Sequence, residues 1–128
     1  MEQINAVGRR KTSVARVYLM KGTGAINVNG RAYQDYFTQK QIQASVVEPL
    51  KTIHVEGEYD VNVNVMGGGY KGQAEAIRMG IARVLVKLNE DYRKPLKEKK
   101  FLTRDARKVE RKKFGKPGAR KSFQFSKR

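Results

Sequence analysis

The sequence predicts an α/β (α+β) body over residues 1–98 and a basic extension over residues 99–128. Three observations carry that division. Residues Asp60 to Val65 read DVNVNV, a strict alternation that puts Val61, Val63 and Val65 on one face of a strand and Asn62 and Asn64 on the other. Residues Gln73 to Leu88 place Ala74, Ile77, Ile81, Val84, Leu85 and Leu88 at the spacing of a 3.6-residue turn. Finally, thirteen of the 28 Lys and Arg but only two of the 12 acids fall in residues 99–128, which therefore hold +11 of the chain's +16.

In chain order, residues 4–8 are short and apolar and run into the cluster Arg9, Arg10, Lys11. Residues 14–20 (VARVYLM) alternate, with Ala15, Val17 and Leu19 inward and Arg16 and Tyr18 outward, and end at Lys21-Gly22-Thr23-Gly24. Ile26 and Val28 mark a short strand closed by the turn signal Asn29-Gly30. A two-part helical stretch follows, around residues 32–37 and then 41–47, with Pro49 expected to stop it. Ile53 and Val55 alternate with His54 and Glu56 and read as a strand, with a turn at 57–59 before the DVNVNV strand. Gly67-Gly68-Gly69 and then Gly72 break the chain ahead of the long helix, which leaves Arg78, Arg83 and Lys87 for its polar surface. Gly80 inside that helix costs about 1 kcal/mol relative to Ala, so close packing or close approach of a backbone is expected there. Asn89-Glu90-Asp91 ends the helix, and residues 95–100 form one more short turn.

The extension has scattered apolar residues with no common period, so it cannot bury enough surface to offset the entropy of ordering it alone. It repels itself and is expected to stay extended until a polyanion neutralises it, nucleic acid above all. Arg104, Arg107, Lys108 and Arg111 share a face if residues 103–113 turn helical, and a helix so short is marginal in water without a partner. Lys112, Lys113, Arg120 and Lys121 continue the run of candidate phosphate contacts, and Gly115, Pro117 and Gly118 enforce an extended end.

Other classes are disfavoured. With no cysteine there are no disulfides or thiolate metal sites. The N-terminus lacks an apolar h-region, no apolar run approaches a membrane span, and the extension has no apolar stripe suited to a lipid surface. A cytoplasmic protein without membrane partner, metal or cofactor is expected. The lone His54 has no neighbour for metal or base chemistry, and acids such as Glu56 and Glu58 read as surface charge.

The turn GGGYKG at 67–72 is the one stretch that suggests an enzyme. A glycine turn feeding a helix offers free N–H groups and a positive dipole end to phosphate, but no Ser or Thr follows Lys71 to hold magnesium. Two readings stand level: a tight turn needing positive φ, and an RNA-phosphate contact through Gly68, Gly69 and Lys71. Arg9, Arg10 and Lys11 favour a phosphate contact over mere solvation. Arg78 and Arg83 are further candidates, though five residues apart they lie roughly 140° around the helix, and Glu75 is a possible partner for Arg78. Phe101 and Phe114 read as packing residues rather than base-stacking ones.

Three stretches carry a resemblance that composition does not: GRRKTSVARV (8–17), GGGYKGQAEAIRMGIARVL (67–85) and the terminal LTRDARKVERKKFGKPGARKSFQFSKR (102–128). With INVNGRAYQDYF (26–37) between them, the chain resembles the bacterial ribosomal protein S-nine family nearly end to end. The resemblance implies a mixed β-sheet packed with helices, shared with the second domain of ribosomal protein S-five and containing a left-handed βαβ crossover. Sequence rules alone give a right-handed one. The fold is also used by small-molecule kinases, so a phosphotransferase is one rival and a free nucleic-acid condensing protein another. The resemblance further implies binding to small-subunit rRNA in the subunit head, beside neighbouring head proteins. It implies an extension reaching peptidyl-site tRNA, with Ser126, Lys127 and Arg128 at the anticodon stem-loop, and no small-molecule substrate.

Overall fold

A computed structural model describes residues 3–99 and 101–102. Five strands form one mixed sheet: β1 (Ile4–Arg10), β2 (Ser13–Lys21), β3 (Ile26–Val28), β4 (Arg31–Ala32) and β5 (Tyr59–Met66), in the order β1-β2-β5-β3-β4. β2 is antiparallel to both β1 and β5, while β3 runs parallel to β5. The β3-to-β5 connection carries α1 (Tyr33–Tyr36) and α2 (Lys40–Thr52). After β5 come α3 (Tyr70–Leu88), a 3-10 turn (Glu90–Tyr92) and α4 (Arg93–Glu98). The expected mixed α+β architecture is what forms.

The alternation seen in the sequence sets the register. Val61, Val63 and Val65 of β5 stand opposite Leu19, Val17 and Ala15 of β2, all buried, and each valine or leucine removed from water contributes about 1.5–3 kcal/mol. α3 lays Ala74, Ile77, Ile81, Val84 and Leu85 on this layer, chiefly over β1 and β2, and α2 packs beside it. The predicted close approach at Gly80 is present: a Cβ there would lie 2.5 Å from Val17 Cγ2, and a Cβ on the facing Gly8 would lie 1.9 Å from the Ala76 carbonyl oxygen. Helix and strand backbones touch through the two glycines, and that contact offsets the propensity cost.

Two loops are fastened by side chains acting as backbone. Asn29, at φ 52°, donates from Nδ2 to the Val65 carbonyl (3.0 Å) and accepts the Val65 N–H (2.9 Å), lengthening the β3–β5 pairing. Asp60 Oδ1 accepts the N–H groups of Thr23, Gly24 and Ala25 at 3.0, 3.1 and 3.0 Å. Those bonds, led by the ones from Ala25 and Thr23, hold its carboxyl below the usual carboxylate range.

Four local expectations need correction. Residues 53–56 are not a strand. His54 adopts φ 59° and closes α2 in a Schellman motif, its N–H bonding to the Lys51 carbonyl while the Val55 N–H bonds to that of Leu50. Val55 and Leu50 are both buried, supplying the apolar contact such a cap favours. Pro49 does not stop α2 but lies within it, where burial of Pro49 and Leu50 offsets a cost of about 3 kcal/mol. Gly72 does not delay α3, which begins at Tyr70. Glu75 pairs with Arg10 rather than Arg78. The sequence reading also passed over β4, and β1 extends through the basic residues Arg9 and Arg10.

Candidate nucleic-acid interface

The β1–β2 hairpin brings two distant basic stretches together. Its tip is Lys11-Thr12, with Lys11 at φ 54°, and it lies directly against the glycine turn between β5 and α3. Gly67 and Gly68 have φ 84° and 65°, and Cβ atoms on them would lie 2.2 Å from the Thr12 carbonyl oxygen and 2.3 Å from Ser13 Oγ. Both positions therefore require glycine for conformation and for contact. Ser13, almost wholly buried, donates from Oγ to the Gly67 carbonyl (2.9 Å), and Gln73 Nε2 donates to the same oxygen (3.1 Å). Tyr36 in turn donates its hydroxyl to Gln73 Oε1 (2.7 Å). The turn is thus held from the hairpin, from α1 and from α3.

Between hairpin tip and glycine turn is a cleft of about 270 Å³ lined by Arg10, Lys11, Thr12, Ser13, Gly68, Gly69, Lys71, Gly72 and Glu75. Arg10 and Glu75 form an ion pair across its floor. Lys11 and Lys71 are exposed at its rim. Three bases and one acid leave the cleft net positive at the N-terminus of α3, where the helix dipole adds to the field. Gly69 caps that helix with its backbone only, has nothing within 4 Å of where a Cβ would stand, and lacks a positive φ. No internal contact demands glycine there.

Six of the residues predicted from sequence converge here or beside it: Arg10, Lys11, Gly68, Gly69 and Lys71 line the cleft, and Arg9 is exposed next to it on β1. Arg78 and Arg83 do not join them; seven and twelve residues beyond Lys71, they lie roughly 10 and 18 Å further along α3. Arg78 is half-buried, 3.5 Å from Glu48 Oε1, with its Nη1 3.3 Å from Ser45 Oγ and its guanidinium carbon 5.1 Å from the Phe101 ring centroid. Arg83 Nη1 donates to the Val7 carbonyl (2.8 Å) and Lys87 Nζ to that of Asn5 (2.7 Å). Phe101 is buried, and its N–H bonds to the Leu96 carbonyl, so its reading as a packing residue holds. Arg104, Arg107, Lys108, Arg111, Lys112, Lys113, Phe114, Arg120, Lys121, Ser126, Lys127 and Arg128 lie outside the described residues.

Sequence reasoning missed Thr12, Ser13, Gly72 and Glu75 as cleft members. The signal available was the pair of strands flanking Lys11-Thr12, which defines a two-residue hairpin, but those residues are not the usual Asn-Gly type. Among the described residues no group of His, Asp and Glu could hold a metal ion, and no helix is long and apolar enough to cross a membrane.

A mixed sheet with helices on one side and a cationic cleft at a hairpin tip defines a basic α+β module shaped to meet an anion. The family described as Ribosomal protein S9/S16 matches residues 8–128. A protein of Cytophaga hutchinsonii named "Small ribosomal subunit protein uS9" is 59% identical over the whole of both chains. Proteins of the same name from Amoebophilus asiaticus and Porphyromonas gingivalis are 56% and 53% identical, again over the full length of each. The chain belongs to this ribosomal protein family, whose members are structural, non-enzymatic components of the small ribosomal subunit.

Proposed function

We propose that the body, residues 1–98, docks on small-subunit rRNA in the subunit head through the hairpin-tip cleft, and that the extension from residue 99 carries the contact onward to peptidyl-site tRNA. Support comes from one observation above the rest: Arg10 and Lys11 of the hairpin and Gly68, Gly69 and Lys71 of the turn, distant in sequence, line one cationic cleft whose Lys11 and Lys71 are exposed. Open space at Gly69 lets a phosphate oxygen approach the first N–H groups of α3, while Arg9, Arg10, Lys11 and Lys71 supply the charge. Arg104, Arg107, Lys108, Arg111, Lys112, Lys113, Arg120 and Lys121 each replace condensed counterions along the RNA, and Ser126, Lys127 and Arg128 reach phosphates of the anticodon stem-loop. The protein works in the cytoplasm, within the ribosome and beside neighbouring head proteins.

The test is the salt dependence of rRNA binding. If about 6–10 phosphates are neutralised, affinity falls by roughly 10³–10⁵ between about 50 and 200 mM salt. Removing residues 103–128 flattens that dependence sharply; an unchanged slope would assign all the binding to the body. Removing Lys127 and Arg128 alone leaves assembly intact and speeds tRNA loss from the peptidyl site. Wild-type tRNA off-rates in such ribosomes would refute the assignment of the terminus.

A further inference from the structure

The sheet has a second surface that the cleft does not use. Burial alternates along β2 and β5, so Arg16 and Tyr18 point away from the helices, opposite Asn64 and Asn62 in register. Asn5 of β1 stands beside Tyr18, and Asn27 of β3 beside Asn62. One row across four strands therefore reads Asn5, Tyr18, Asn62, Asn27. At 4.7–4.9 Å per strand it spans roughly 14 Å. Asn5, Arg16, Asn62 and Asn64 are exposed, and no described element lies over them.

The chemistry of this face is selective. Its amides donate and accept, its single ring is a flat apolar platform, and Arg16 adds positive charge. The only outward acid on β5 is Asp60, at the end of the strand, with Oδ1 already taken by three backbone N–H groups. All other acids among the described residues sit on helices, in turns or in loops. Such a face is complementary to an anion. Its apolar residues lie towards the ends, Val7, Val14 and the exposed Met66 near the hairpin tip and Met20 at the other end, while amides occupy the positions flanking Tyr18 in the middle of the face. Amides and an aromatic ring on a sheet are the means by which unpaired bases are read: the ring stacks on a base, and the amides bond to base edges.

We infer that the open face of the sheet binds unpaired nucleotides of RNA, with Tyr18 stacking on a base and Asn62 and Asn64 bonding to base edges. This rests on the RNA-binding reading above. It adds a site whose selectivity lies in bases, where the cleft and the extension meet phosphates.

The experiment titrates the full-length chain with small-subunit rRNA, a single-stranded oligoribonucleotide and an RNA duplex. Asn62→Ala/Asn64→Ala removes two exposed side chains and keeps the fold. It is expected to weaken binding of rRNA and the single strand about tenfold or more, with the duplex little affected and the salt slope unchanged, since no phosphate contact is lost. Tyr18→Leu, which retains much of the half-buried volume, gives the same pattern, and Tyr18→Phe, which keeps the ring, binds like wild type. Wild-type affinity in the double variant overturns the inference while the cleft reading stands, as long as Lys11 and Lys71 variants still lose affinity. A reduced salt slope makes the face a phosphate contact and also overturns it. Undisturbed RNA binding with loss of a neighbouring protein from reconstituted subunits assigns the face to protein instead. A wild-type chain that binds none of the RNAs defeats the earlier reading, and this one with it.

Discussion

Two groups of cations in the body look alike in the sequence and differ in the fold. Lys11 and Lys71, with Arg10 beneath them, face a cleft and are open to solvent at its rim. Arg78, Arg83 and Lys87 lie along α3, each with a donor bonded to another element of the chain, although Arg83 and Lys87 are exposed. Arg83 and Lys87 bond to carbonyls on the outer side of β1, which is an edge strand, so they shield an edge otherwise open to pairing with another chain. Arg78 links Phe101 to α2, with its guanidinium over the Phe101 ring and beside the Glu48 carboxylate. Positive charge on a basic protein is therefore not one resource. Part of it binds the chain to itself, and part stays open to solvent.

Charge reversal at the cleft is expected to have the largest effect. Lys11→Glu/Lys71→Glu lowers rRNA affinity by roughly 10²-fold at moderate salt and leaves the thermal midpoint in place, because neither side chain is buried. A filter-binding titration beside a melting curve checks both halves; a fall in the midpoint as large as the loss of binding would erase the distinction between the groups.

Arg78→Ala is predicted to do the converse. It removes a partly exposed ion pair and a cation–π contact, together about 1–2 kcal/mol, which lowers the thermal midpoint by several degrees in a domain of this size. The counterion-release slope of the variant stays at the wild-type value.

An anion bonded within the chain completes the contrast. Asp60 is held below its unfolded pKa by the N–H groups of residues 23–25. Its contribution to stability is thus fully present above the unfolded value, near 3.9, and is lost as pH falls through the lower folded value. Acid unfolding followed by circular dichroism is expected to be less steep below about pH 4 in Asp60→Asn. An identical acid limb in the two proteins would mean that the carboxylate contributes nothing through its charge.

The smallest effect is expected at the sheet edge. Arg83→Ala and Lys87→Ala each change stability by about 0.5–1 kcal/mol, yet expose the carbonyls of Val7 and Asn5. Faster amide exchange in β1 and a tendency to self-associate are the signs to look for, by hydrogen exchange and by sedimentation.

The parts of this fold legible in the sequence are those where one period dominates: β2, β5 and α3, whose valines, leucines and isoleucines repeat at two or at 3.6 residues. Elements fixed by tertiary contact were not. Residues 53–56 alternate like a strand, but Val55 is buried as the apolar partner of Leu50 in a helix cap, and His54 takes a left-handed conformation usually left to glycine. Pro49 carries a local stop signal that its buried surroundings override. At the site, the basic clusters were visible one by one, whereas their meeting depends on Gly67 and Gly68 letting the turn close on Thr12 and Ser13. No local pattern encodes that meeting. Nor does local sequence distinguish Arg10 and Arg78, which took partners on other elements, from Lys71, which remained at the rim.

The most direct test of the separation between cations bonded within the chain and cations at the cleft is the slope of log affinity for small-subunit rRNA against log salt, measured for the full chain and for two double variants. Lys11→Gln/Lys71→Gln is predicted to lower the slope by about 1.4–1.8, the loss of two phosphate contacts, and Arg78→Gln/Arg83→Gln is predicted to leave it unchanged. A slope that falls for the second pair and not for the first would show that the α3 cations bind the RNA and the cleft does not.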